Sequence, residues 1–275
     1  MANVIKTELF RFMKGKTIRI LLILGLVFTI MQVVVPIKQI LVNISGPSSI
    51  KINPILGYEA FFMIDFSTLL FIFTPFLVVT IFISKVALAP VENIIATRIK
   101  RKNIYISKYI IFVSSIIGLS LSFALFATSI TTIINGWGKN FEFFQLCLIF
   151  LVSLRISIIY ILYGTILILL SLFIHNTVLI VIIHFGISIV ESMFISIIDA
   201  VIAAHNSKVL YYLSFIFPSK YMSDFAKVDI KTETLILGLS VSLLSIIILY
   251  ITSLNIFLKK DIHSCFHNTM CKKEI

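Results

Sequence analysis

The chain has 275 residues, of which 59% are hydrophobic and 13% charged, with a mean hydropathy of +1.11. Soluble domains carry about twice that charged fraction, so a water-soluble globular enzyme is excluded, and 25 Phe against 10 Gly and 6 Pro excludes disordered and collagen-like chains. The excess of 23 Lys+Arg over 12 Asp+Glu, a net +11, fits nucleic acid, anionic lipid or membrane topology, and its distribution along the chain selects among them.

At the N-terminus, residues 4–16 place Ile5, Leu9, Phe12 and Met13 at helical spacing, with Arg11 and Lys14 opposite. This predicts an amphipathic helix lying in the membrane interface, its cations near anionic lipid. Gly15-Lys16-Thr17 ends like a phosphate loop, but Phe10 stands where the motif needs its first Gly, so no nucleotide site is expected there.

Six apolar runs follow: Ile18–Val35, Phe61–Ile83, Tyr109–Ile134, Ile156–Ile174, Thr177–Ile198 and Leu235–Leu258. Each is near the roughly 20 residues a helix needs to cross hydrocarbon. They are continuously apolar, unlike the alternating strands of a barrel, so the expected fold is all-α: one polytopic membrane domain over 1–275 with six transmembrane helices. The first run is too long for a signal peptide's apolar region and lacks a small-residue cleavage pattern, so it is read as a retained span.

With the N-terminus in the cytoplasm, residues 1–19, 84–108 and 259–275 lie inside and hold fifteen basic residues against four acidic ones, Glu8, Glu92, Asp261 and Glu274. The other eight basic and eight acidic residues cancel, so the whole net charge falls on the inner side. This is the positive-inside pattern; it places both termini in the cytoplasm and makes nucleic acid the weaker partner.

Two shorter apolar stretches, Phe143–Leu154 and Val209–Phe217, are too short to cross and are read as outer interfacial or re-entrant segments. Joining the first to the fourth span would bury Arg155 mid-membrane at a cost of roughly 2.5–3.5 kcal/mol. Arg155 is therefore expected at the outer boundary.

Between spans two and three, Val91, Ile94, Ile95 and Ile99 form an apolar stripe, with Glu92, Arg98, Lys100, Arg101 and Lys102 pointing elsewhere. A short helix on the inner surface fits, and positive-inside topology alone accounts for the cations but not for the stripe.

The run Arg101-Lys102-Asn103-Ile104-Tyr105-Ile106-Ser107-Lys108 resembles the Arg, aromatic and Lys pattern that follows the cytoplasmic loop in type-2 ABC exporter permeases. The frame is similar too: a basic amphipathic helix before span one, six spans, both ends inside, and an apolar outer segment before span six. The resemblance implies that residues 84–108 hold a coupling helix, Val91–Lys102, which docks on a separate ATPase through Val91, Glu92, Ile94, Ile95, Arg98, Ile99 and Arg101. The chain departs from the family where Asn93, Ile94 and Ile95 follow Glu92 in place of a Gly-Thr pair. It further implies a second permease copy or homologous permease, no cofactor bound by this chain, ATP and Mg on the partner ATPase, and a place in the bacterial cytoplasmic membrane.

Asp65 and Glu191 are the acidic residues inside expected spans, where a charge must meet water or a partner. At 1.5 Å per residue they fall roughly 6 Å and 10 Å below the outer boundary and are candidates for a substrate path. The competing expectation is that they are protonated or pair with Arg155 or His184. In the family, spans two and five border the substrate path, which implies a cationic or amphipathic cargo such as a peptide antibiotic, bacteriocin or drug.

Pro75 is tolerable in a membrane helix, and packing is its expected role. The tail, 259–275, carries His263, Cys265, His267 and Cys271 without the spacing of a structural zinc site, so metal binding is not expected. Protease motifs such as His-Glu-x-x-His and Gly-x-Ser-x-Gly are absent from the sequence, which argues against an intramembrane enzyme. A non-transporting immunity or scaffold protein that sequesters a toxin or partner stays open.

Overall fold

The structure is a computed structural model. It describes residues 2–15, 66–83, 101–138, 141–174, 176–205, 207–227 and 229–259, together with residues 19, 20, 22–27, 30 and 57. Among the described residues there is no β-strand. The helices are α1 (Ala2–Lys14), α2 (Phe66–Val78, continued by a π-helical turn Val79–Ile83), α3 (Arg101–Asn135), α4 (Phe143–Ser171), α5 (Thr177–His205), α6 (Lys208–Ser214), α7 (Ser219–Phe225) and α8 (Thr232–Lys259). Residues 19–20, 22–27 and 30 are also helical.

Four of these, α3, α4, α5 and α8, are long and apolar enough to cross a membrane. They correspond to the third to sixth expected spans. Half of the first expected span is described, residues 19–20, 22–27 and 30, and the second is described only from Phe66.

The turns between spans follow from local chemistry. After α3, Gly136 takes φ 81°, and its N–H donates to the Thr132 carbonyl at 2.9 Å, closing the helix in the left-handed conformation that glycine tolerates. Trp137 Nε1 donates to Gln145 Oε1 at 2.7 Å across the same turn. Before α5, Asn176 Oδ1 accepts from the Val178 and Leu179 N–H groups, an N-cap that starts the next helix.

α4 is the centre of the bundle, packed by α2, α3, α7 and α8. Its buried residues run around most of its circumference, from Ile149 through Ile156, Tyr160 and Tyr163 to Ile168. α3 packs on it and buries Phe112, Ile116, Leu119, Phe123 and Ala127, with Phe123 stacked on Phe73 of α2. At Gly164 a Cβ would lie 2.0 Å from the fully buried Phe112 ring, so the missing side chain sets how closely α3 and α4 approach. Ser120 Oγ donates to the Ser153 carbonyl (3.1 Å), and the Tyr109 and Thr165 hydroxyls lie 3.0 Å apart, adding polar bonds across the contact.

α1 packs along α3; its Phe12 packs against the core and its Glu8 is buried. Leu9, Phe10 and Met13 stay exposed. The expected single apolar face is therefore divided: Phe12 turns to the bundle, and Leu9 and Met13 form an outward ridge.

The expected division of residues 143–174 is corrected. Phe143–Leu154 is not a separate outer segment, because α4 runs unbroken from Phe143 to Ser171 with Arg155 buried inside it. No proline or glycine interrupts the helix before Gly164, and the Arg155 guanidinium has a partner that span-by-span reading does not reveal: Nη2 donates to the Lys227 carbonyl at 3.2 Å.

Pro75 in α2 has a consequence outside its own helix. Proline has no N–H, so the Phe71 carbonyl four residues earlier loses its helical partner. His184 of α5 replaces it: Nε2 lies 3.0 Å from that carbonyl, which can only accept, so this nitrogen carries the proton. The imidazole also stacks on the Phe71 ring at 4.3 Å and is buried. Replacing His184→Phe should orphan the carbonyl and lower stability by roughly 1–3 kcal/mol. Adding Pro75→Ala, which restores the helical donor, should recover most of that loss; thermal melting of the detergent-purified variants measures the coupling, and purely additive effects would contradict this account.

Candidate functional site: a helical hairpin inserted in the bundle

The segment between α5 and α8 folds back into the bundle. Glu191 lies fourteen residues before the end of α5, about 21 Å along its axis. Ser219, fourteen residues after that end, donates its backbone N–H to Glu191 Oε1 at 3.1 Å. The chain has thus returned the whole distance, through the N-cap Ser207, whose Oγ accepts from Leu210 N, then α6 and the Phe215–Pro218 turn.

From Ser219 the chain climbs again along α4 and α8. Tyr160 OH meets Met222 Sδ at 3.7 Å, and Arg155 meets the Lys227 carbonyl, so nine residues from Ser219 to Lys227 rise beside nine residues of α4, from Tyr163 to Arg155. On the α8 side, Tyr221 OH and Ser242 Oγ are 2.6 Å apart. Phe225 and Tyr221 pack over Gly238, where a Cβ would meet their rings at 2.9 and 3.1 Å. Val209–Phe217, expected to be interfacial or re-entrant, is thus the descending arm of a hairpin whose tip reaches Glu191.

Glu191 is 5% exposed. Its Oε2 accepts from Tyr163 OH at 2.5 Å and its Oε1 from Ser219 N, so one carboxylate ties α5, α4 and the start of α7 together. Its partners are a phenol and a backbone amide, not Arg155 or His184: the first holds the Lys227 carbonyl and the second the Phe71 carbonyl. Both carboxyl oxygens are met by directed donors, a phenol and a backbone amide. Because α5 continues to His205 instead of ending at Ile198, Glu191 lies about 21 Å from the helix end, roughly twice the distance expected from the sequence.

Charges nearer the open end of the hairpin are paired. Lys220 bridges to Asp199 on α5, and Lys227 Nζ reaches Asp224 Oδ1 at 2.6 Å. Tyr212 OH donates to Glu233 Oε1 at 3.2 Å, a hydrogen bond that holds the exposed phenol above its ordinary pKa. Arg155 Nε and Ser219 Oγ are buried without a hydrogen-bond partner among the described residues.

Of the other site residues read from the sequence, Asp65, Val91, Glu92, Ile94, Ile95, Arg98 and Ile99 lie outside the described residues. Arg101 and Lys102 open α3. In the run that resembles the exporter pattern, Tyr105 is fully buried, its hydroxyl bonded to Ser253 of α8, and Lys108 is buried. Tyr163, Ser219 and Tyr221 carried no sequence signal, being common residues whose partners are 21 to 28 positions away. Among the described residues no group of three or more His, Cys, Asp or Glu side chains is placed to hold a metal ion. His263, Cys265, His267 and Cys271 lie outside them.

Compared with protein-family models, curated proteins and solved structures, the chain matches none.

The hairpin should loosen when its tip loses its acceptor. In a background with Cys147, Cys265 and Cys271 changed to serine, the fully buried Ser214→Cys reports on the descending arm. Its reaction with a soluble maleimide should be slow, and Glu191→Ala should speed it by about tenfold or more, since a lost charge-assisted hydrogen bond is worth roughly 1.5–3 kcal/mol. Tyr163→Phe should give a smaller increase in the same direction. Equal rates in all three proteins would show that Glu191 does not hold the hairpin.

Proposed function

We propose that the chain is the membrane-spanning permease subunit of an ATP-binding cassette exporter in the bacterial cytoplasmic membrane, with both termini on the cytoplasmic side. A separate ATPase subunit supplies ATP hydrolysis with Mg, and a second permease completes the transporter. The cargo is amphipathic or cationic, of the peptide-antibiotic, bacteriocin or drug kind.

The observation that carries this reading is the hairpin before the last long helix, anchored at its tip by a buried carboxylate. An inert bundle gains nothing from burying a charge and two short helices that deeply. A transporter gains an element that can exchange partners, because a cationic group competing for Glu191 weakens its bonds to Tyr163 and Ser219 and frees the tip. The basic α1 lying against α3, and α3 carrying the last two residues of the proposed coupling segment, Arg101 and Lys102, support the same assignment. On this reading Val91–Lys102 transmits closure of the ATPases through α3 into the contact with α4.

The full chain purified from its native cells should bring an ATP-binding subunit with it, and Ile95→Asp or Ile99→Asp should abolish that association while leaving the membrane subunit folded. Asp65→Asn with Glu191→Gln should reduce export of a cationic peptide by tenfold or more at unchanged ATPase recruitment. A protein that merely sequesters a toxin would protect cells equally well with the ATPase deleted, and that result would overturn the proposal.

A further inference from the structure

A cavity of about 390 Å³ opens between α6, α7 and the start of α8. Tyr211 and Phe215 form an aromatic wall, and Lys220, Lys227, Asp229 and Lys231 line it with charge. Two of the lysines are already neutralised, Lys220 by Asp199 and Lys227 by Asp224. Among the described residues, the Lys231 ammonium and the Asp229 carboxylate have no ion-pair partner, and both are exposed. Among the described residues the cavity therefore offers an unpaired cation and an unpaired anion beside an apolar wall.

A purely anionic ligand satisfies Lys231 and is repelled by Asp229; a purely cationic one meets the reverse. A zwitterion that carries its anion and a hydrogen-bonding ammonium a few atoms apart satisfies both. The location narrows the class further. Lys231 immediately precedes α8 and Thr234 is its third residue; α8 is a helix long and apolar enough to span a bilayer, and the start of such a helix lies at headgroup level. Tyrosine beside an apolar ring is what that boundary favours, with the ring against acyl chain and the hydroxyl in the headgroup layer. The volume falls in the range of small-ligand pockets, roughly 300–1,000 Å³.

We propose that this cavity binds the headgroup of an aminophospholipid, with the phosphate held by Lys231, the primary ammonium by Asp229, and the glycerol end against Tyr211 and Phe215. The chemistry stands apart from the transport reading, which decides only that the leaflet is the outer one. A lipid bound here would wedge between the hairpin and α8 and resist withdrawal of the hairpin.

The test titrates the detergent-purified full chain with dihexanoyl phosphatidylethanolamine, phosphatidylcholine and phosphatidylglycerol, and with soluble phosphoethanolamine, reading occupancy by native mass spectrometry. Phosphatidylethanolamine should bind about tenfold more tightly than phosphatidylcholine, whose quaternary ammonium has no N–H to donate, and than phosphatidylglycerol, which has no ammonium. Lys231→Ala should weaken phosphatidylethanolamine by about tenfold, and Asp229→Asn should erase its advantage over phosphatidylglycerol. Both side chains are exposed, so melting temperatures should not change, and Lys231→Gln serves as a second variant of similar size. Equal affinity for all three lipids, or a Lys231→Ala/Asp229→Asn double variant that binds like the parent, would overturn the proposal. Phosphatidylglycerol binding most tightly would make this an anion site instead, and phosphoethanolamine binding as tightly as its lipid would remove the membrane as the source. None of these outcomes bears on recruitment of an ATPase, so this inference and the transporter reading fail separately.

Discussion

A polar atom shut inside a bundle this apolar has no water to turn to, and the search for partners within the chain arranges everything else. The simplest solutions are local: Thr74, Ser107, Thr128, Ser153, Ser157 and Thr165 donate their hydroxyls to the carbonyl four residues earlier in their own helix. These bonds let α2, α3 and α4 place small polar side chains where they meet without leaving an orphan donor. Groups without a local solution reach farther. The carbonyl stranded by Pro75 finds His184, the Arg155 guanidinium finds the Lys227 carbonyl, and Glu191 finds Tyr163 and Ser219.

The long-range solutions have a common geometry. Arg155 and Glu191 both bond to the α6–α7 hairpin and its exit, one to the carbonyl of Lys227 and the other to the amide of Ser219. A guanidinium meets a backbone acceptor and a carboxyl group meets a backbone donor at opposite ends of the same nine-residue climb. Each buried charge is compensated by a dipole, a weaker arrangement than a direct ion pair but one that fixes the register of the hairpin against α4. Removing the hairpin would take the Lys227 carbonyl from Arg155 and leave Glu191 held by Tyr163, so its insertion and their burial depend on one another.

This mutual dependence explains what was legible in the sequence. The bodies of α3, α5 and α8 were readable because an apolar run of membrane length needs no information from elsewhere. Their ends were less so: α5 continues seven residues past Ile198, to His205, through a stretch that includes a charged Asp199 paired with Lys220. Arg155 was read as a boundary because a lone arginine in an apolar run looks like one. What makes it an interior residue lies 72 positions away. The Phe71–His184 bond joins residues 113 positions apart, and although Pro75 announces a free carbonyl, nothing in sequence spacing says which donor takes it. In α1 the apolar residues were visible, but their division between the bundle and the outside depends on where α3 lies.

The asymmetry of α5 shows where such a bundle gives way. Val178, Ile182, Phe185, Ile189, Met193 and Ile197 form an exposed apolar stripe along its length, which in water would be a large aggregation liability and in lipid is an ordinary surface. The buried residues on its other face are Ile180, His184 and Glu191. Hydrocarbon receives an aliphatic side chain as well as a protein groove does, so apolar contact alone scarcely fixes the helix in place. The directed bonds of His184 to α2, of Glu191 to α4 and α7, and of Asp199 to Lys220 of α7 therefore determine its position, and all end on hydrogen-bonding groups that a small displacement would break. Whatever alters those bonds moves α5 relative to its neighbours, whereas a change on the exposed stripe exchanges one greasy surface for another.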